Sequence, residues 1–127
     1  MSVAFRRRRG SEGWRLRFSQ ELAKRDRLSS DSGTWGPKRP EPTVVGIASR
    51  IPEDVKPGKL PFSAVMITAT SEGGIQIKWQ DPRREFSIFI YPDSSLEYLF
   101  KDTQGQYQSG SLGDTHQVNE CVDRVLA

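Results

Sequence analysis

The sequence is poor in the residues from which most active sites are assembled. Its single cysteine, Cys121, excludes an internal disulfide and any cluster of thiolate metal ligands. Its single histidine, His116, stands at the start of a C-terminal amphipathic stretch with no second His and no Ser or Asp in a recognisable motif. A solvated position at a helix start is the expectation there. No apolar run approaches the roughly 20 residues of a membrane span, and apolar residues make up only 35% of the chain. The first ten residues carry the charge of a signal n-region, but no apolar h-region follows. Glu12 and Glu21 are out of place in an acid-poor transit peptide. The expectation is a cytoplasmic protein without cofactor or metal.

What is present is unevenly distributed. Residues 1–39 hold eleven Lys and Arg against four Asp and Glu, a net of +7, whereas residues 40–127 hold eight against twelve, a net of −4. The formal charge of +3 therefore divides into a basic arm and an acidic domain. Residues 1–40 are expected to form a largely disordered basic arm and residues 41–127 a small α+β domain. Arg6, Arg7, Arg8 and Arg9 repel one another, and the Ser29–Gly33 run followed by Gly36, Pro37 and Pro40 offers no periodic apolar face. Within the arm, Trp14, Phe18 and Leu22 recur every four residues, enough for a short helix that would be marginal alone.

From residue 41 onward the periodicity is clearer. Val44, Ile47, Ala48 and Ile51 lie on one helical face after Pro42, and Pro52 is expected to stop that helix. Residues 52–61, with three prolines and a glycine, read as a surface linker. Strands are expected at 62–70, 74–80, 85–91 and 96–100, with a weak edge strand at 106–109. The turns between them fall at Gly73-Gly74, Asp81-Pro82, Pro92-Asp93 and Asp102–Gly105. Ile75, Ile77 and Trp79 alternate with Gln76 and Lys78, the pattern of a half-buried strand. A final helix follows, capped by Asp114 or Thr115 and carrying Val118, Cys121, Val122, Val125 and Leu126 on one face. The fold class is α+β: an antiparallel β-meander of three to five strands with one helix before it and one after, plus a flexible basic N-terminal arm.

The stretch Gly73-Gly74-Ile75-Gln76-Ile77-Lys78-Trp79 resembles the signature of a widespread, functionally uncharacterised group of small bacterial proteins, whose Gly-Gly-[Ile/Val]-x-[apolar]-x-Trp strand follows a proline-bounded segment. A later strand in that group reads much like Leu96-Glu97-Tyr98-Leu99-Phe100. Thr34-Trp35-Gly36-Pro37 stands where the group often has Trp-Asp-Gly-x-Gly-Ala, without the Asp and the second Gly. The likeness spans about residues 35–112, implies the meander and implies no activity.

Candidate chemistry is correspondingly sparse. Arg6 to Arg9, Arg15 and Arg17, interleaved with Trp14, suit phosphate contact and base stacking; a solubilising tail or a segment lying on anionic lipid are the competing readings. Cys121 falls on an apolar helix face, as a buried and inert thiol would. Asp93, Asp102 and Asp114 are explained as turn or cap residues, and Gly73-Gly74 precedes a strand, so it makes no phosphate loop. Val65, Ile67, Phe89, Tyr91 and Leu99 are expected to share a second sheet face, covered by the 42–51 helix or left open to a partner. The expected function is a non-catalytic binding or accessory protein engaging a protein partner through that face. Nucleic-acid binding through the arm is the alternative, and a small enzyme with Cys121 or His116 at its centre the remaining one.

Overall fold

A computed structural model describes residues 13–27 and 40–126. The expectations for Arg6 to Arg9, for the flexibility of the arm and for Thr34–Pro37 lie outside the described residues. The element order is α1 (Trp14–Arg27), α2 (Pro42–Ser49), α3 (Ile51–Asp54), β1 (Ala64–Ala69), β2 (Ile75–Gln80), β3 (Glu85–Ile90), β4 (Leu96–Lys101), β5 (Tyr107–Leu112) and α4 (Gln117–Val125). The strands form one antiparallel meander in sequence order. The protein is thus an α+β meander with helices before and after it.

The first hairpin fixes the register of the sheet. Gly73 sits at φ 94°, a left-handed conformation open to glycine at little cost. Its N–H bonds the Thr70 carbonyl at 3.2 Å while the Gly74 N–H reaches the Thr70 hydroxyl at 3.0 Å. Ala69 then faces Ile75, Ile67 faces Ile77 and Val65 faces Trp79. A Cβ on Gly74 would collide with the Ile90 carbonyl oxygen, and backbone cannot swing aside as a side chain can. Gly74→Ala is expected to cost about 1 to 3 kcal/mol, read as a lower urea midpoint at unchanged slope. At the next turn Asp81 Oδ1 accepts the N–H groups of Arg83 and Arg84 at 2.8 and 2.7 Å. Burial opposes ionisation of Asp81, but these bonds and the Arg84 guanidinium outweigh it and hold its pKa below the ordinary carboxylate value.

One register row after another then sends the same set inward. Ile67, Ile77, Ile88 and Tyr98 form one row, Ala69, Ile75, Ile90, Leu96 and Leu112 a second, and Val65, Trp79, Phe86 and Phe100 a third. All described helices that carry buried residues bury them in this same core: Trp14, Phe18 and Leu22 from α1, Val44 and Ala48 from α2, Ile51 from α3, and Val118, Cys121, Val122 and Val125 from α4. The structure has two layers, helices over one face of the sheet.

Three expectations are corrected by this packing. The arm and the domain do not divide at residue 40, because α1 is part of the core: the Trp14 indole N–H donates to the Leu60 carbonyl at 3.0 Å, and its ring meets Trp79 edge-on at 5.3 Å. The helix expected over 42–51 ends earlier, at Ser49, because Pro52 has no N–H to give the Ala48 carbonyl. The chain breaks at Arg50, and Pro52 lies in the first turn of α3, where its missing N–H costs nothing. The 42–51 segment does not cover the second sheet face either, since α2 lies over β2 and β3 on the core side.

Candidate functional site

The second face of the sheet is the place to seek a site, and its composition follows from parity. Residues one position out of step with the core rows point the other way: Met66, Lys78, Ser87, Leu99 and Ser109 across the middle, and Thr68, Gln76, Phe89, Glu97 and Ser111 beside them. Gln80, Glu85, Lys101 and Tyr107 complete the opposite flank. Among the described residues no helix lies over this outer face. Met66 is 49% and Tyr107 62% exposed, whereas Ser87, between larger neighbours, is buried.

The expected grouping of Val65, Ile67, Phe89, Tyr91 and Leu99 is therefore split. Val65 and Ile67 face the core opposite Trp79 and Ile77, and Phe89 and Leu99 face outward with Met66. Alternation separates two sets of residues within a strand, but only the pairing partner says which set goes inward. Phe89 and Tyr91 stack at 6.5 Å with 20° between their planes. The Tyr91 hydroxyl donates to Glu97 Oε1 at 2.6 Å, and this bond to a carboxylate, with desolvation, raises the Tyr91 pKa. A raised phenol pKa means the contact stabilises fully below about pH 10 and is lost as pH rises through the folded value. Lys78 Nζ lies 4.0 Å from Glu85 Oε1. The face thus mixes aromatic and aliphatic surface with charges of both signs.

The residues proposed for nucleic acid fare differently from one another. Trp14 is fully buried and cannot stack on a base. The Arg15 guanidinium donates to the carbonyls of Pro52 at 2.7 Å and Val55 at 2.9 Å, where it closes the C-terminal end of α3, and lies over the Trp14 ring. Arg17 is exposed.

A tie between α3 and α4 escaped the sequence reading. Asp54 accepts the Thr115 hydroxyl through Oδ2 and has His116 Nε2 at 3.5 Å from Oδ1. Asn119 Nδ2 donates to the Asp54 carbonyl at 2.8 Å, and the Lys56 N–H donates to Asn119 Oδ1 at 2.8 Å. The carboxylate stands between hydroxyl and imidazole, so the histidine does not receive the threonine proton. Thr115 is buried, and the arrangement pins two helix ends together. Asp114, through Oδ1, takes the Gln117 N–H at 3.1 Å in the turn that leads into α4; the N-cap position falls to His116, not to the expected Asp114 or Thr115, and carries no side-chain cap bond.

Cys121 is 1% exposed, and burial pushes its thiol pKa up to about 11. Near pH 8 roughly one thiol in a thousand is then thiolate. Native protein is expected to resist iodoacetamide at pH 8 for hours and to label completely in denaturant; prompt native labelling would contradict the burial. A cleft of about 390 Å³ opens between α1 and α2, where the described lining, Phe18, Leu22, Pro42, Val45 and other uncharged residues, includes no titratable group. Among the described residues there is no group of His, Cys, Asp and Glu suited to a metal ion and no helix long and apolar enough to cross a membrane. No family model, curated protein or solved structure matches the chain.

Proposed function

We propose that this protein is a non-catalytic binding protein that engages another protein through the outer face of its sheet. The observation carrying this reading is the five-stranded sheet whose outer face no described helix covers, with Met66, Phe89, Leu99 and Tyr107 set among charges of both signs. Apolar centres rimmed by polar groups are what protein interfaces use. Lys78 and Lys101 are matched on this face by Glu85 and Glu97, so it has no electrostatic preference for phosphate. The likeness of Gly73–Trp79 to the small bacterial group belongs to the same proposal, as does a cytoplasmic location.

A photo-crosslinking side chain at Met66 is expected to capture a partner in cells of the source organism, and one at Leu16, exposed on α1, is not. Leu99→Glu should abolish the Met66 crosslink while leaving the circular dichroism unchanged. Equal capture at both positions, or capture indifferent to Leu99→Glu, would sink the reading. The charge of residues 1–39 keeps nucleic acid as the second reading. It requires affinity for a generic duplex that falls steeply with salt and vanishes when residues 1–12 are removed.

A further inference from the structure

We propose that the β5 edge of the sheet is a pairing surface for a second copy of this chain, joined β5 to β5 in antiparallel register. Natural sheets guard an open edge with lysine, proline, a bulge or a covering element. Strand β5 reads Tyr107-Gln108-Ser109-Gly110-Ser111-Leu112 and has no charge and no proline; residues 107–109 and 111 are exposed. At the other edge, β1 lies alongside α1; α4 also touches β5, and its Gln117 Oε1 accepts the Gly113 N–H just beyond the end of that strand, leaving residues 107–109 and 111 exposed.

The hydrogen-bond pattern shows which groups the edge offers. The Asp102 N–H bonds the Gln106 carbonyl at 2.9 Å and Lys101 faces Tyr107. In an antiparallel ladder bonded pairs alternate with unbonded ones. Gln108, Gly110 and Leu112 therefore exchange bonds with β4, and Tyr107, Ser109 and Ser111 turn their N–H and C=O groups outward. The other side of β4 agrees: the Tyr91 N–H bonds the Ser95 carbonyl at 2.9 Å, which by the same alternation assigns Glu97, Leu99 and Lys101 to β3 and leaves Leu96, Tyr98 and Phe100 for β5.

Three outward residues at alternate positions are self-complementary about a two-fold axis through Ser109. Ser109 meets Ser109 of the second copy, Tyr107 meets Ser111, and Ser111 meets Tyr107, so every outward N–H and C=O in the three finds a partner. Side chains agree with this register: two small hydroxyls meet on the axis, Gly110 gives Gln108 room on the core side, and Tyr107, 62% exposed in one copy, lies against Ser111. No like charges oppose one another, and an isologous contact of this kind closes at two copies. The pairing uses the backbone of the β5 edge, although Tyr107, Ser109 and Ser111 also place their side chains on the outer face proposed above; Met66 and Leu99, on which the test of that face rests, take no part in it.

Sedimentation of the full chain over about a hundredfold range of concentration is expected to show a monomer passing to a dimer. Ser109→Pro removes an outward N–H that has no partner among the described residues, and Ser109→Lys sets two like charges on the axis. Each should hold the mass at half the dimer value with unchanged circular dichroism. Ser109→Cys should be joined to a second copy by a short thiol-to-thiol crosslinker, because facing residues in a bonded antiparallel pair lie about 5.5 Å apart at Cα, while their Cβ atoms are too widely spaced for a relaxed disulfide. Thr68→Cys, exposed on β1, should not. A chain monomeric throughout the range, a dimer that survives both Ser109→Pro and Ser109→Lys, or a Ser109→Cys chain that stays unlinked would each overturn the proposal.

Discussion

Trp79→Ala is expected to lower the stability of the folded chain by about 3 to 5 kcal/mol, the range for emptying a packed aromatic site. Trp79 is fully buried and central to the aromatic cluster. Trp14 meets it edge-on at 5.3 Å, Phe18 stacks on it at 6.4 Å, and Phe86 lies 6.0 Å away on the next strand. Its removal unseats β2 and α1 together. With about 5 to 15 kcal/mol to hold a domain folded, the loss should appear as a fall in melting temperature of roughly 10 to 25 °C. The same residue carries a cost of its own. Its indole Nε1 is buried without a hydrogen-bond partner among the described residues, an arrangement worth about 1 to 3 kcal/mol of destabilisation. Trp79→Phe surrenders part of the ring area but also deletes that N–H, so it should lose less than half of what Trp79→Ala loses. Equal losses for the two substitutions in urea titrations would show that the unpartnered N–H is not a cost.

The contrast between Trp79 and Val65 explains which parts of the fold were readable from the residues alone. The period-two alternation of Ile75, Ile77 and Trp79, and the turns at Gly73-Gly74 and Asp81-Pro82, are local features, and the strands fall within a few residues of where those features put them. Even the weak edge strand is present and longer than expected, at Tyr107–Leu112. Facing is not local. Val65 alternates with Ala64 and Met66, all apolar, and pairing with Trp79 across the hairpin decides that Val65 goes inward. The Asp54–Thr115 bond spans 61 residues of sequence, and no pattern in either segment announces it. The outer-face candidates were thus half legible: Phe89, Tyr91 and Leu99 belong to that side, Met66 takes the place expected for Val65 and Ile67, and the helix expected to cover it lies beneath the opposite face.

Helix α1 shows how a charge run can hide a core element, and it sets the largest effect expected of any change to this chain. Trp14, Phe18 and Leu22 stand at spacing four amid basic residues, so composition assigns them to an arm while periodicity assigns them to a core. The structure decides for the core, with Trp14 and Phe18 fully buried and Leu22 nearly so. Three large side chains at about 1.5 to 3 kcal/mol each amount to much of the stability a domain of this size possesses. The Arg15 bonds to Pro52 and Val55 and the Trp14 bond to Leu60 would be lost with them, stripping the 52–60 segment of its supports. A chain beginning at residue 41, the boundary that composition suggests, is therefore expected to lose cooperative unfolding and to bind a hydrophobic dye. A chain beginning at residue 13 removes Arg6 to Arg9 and no described core residue, and should melt within about 3 °C of the full chain. Parallel thermal melts of the two truncations decide the matter. A cooperative transition in the 41–127 chain would mean that β1 to β5, α2 and α4 hold the core without α1. The same pair of chains governs any test of the arm for nucleic acid: binding lost on removing residues 1–12 speaks for the arginines, whereas binding lost only on removing residues 1–40 reports the unfolding of the domain.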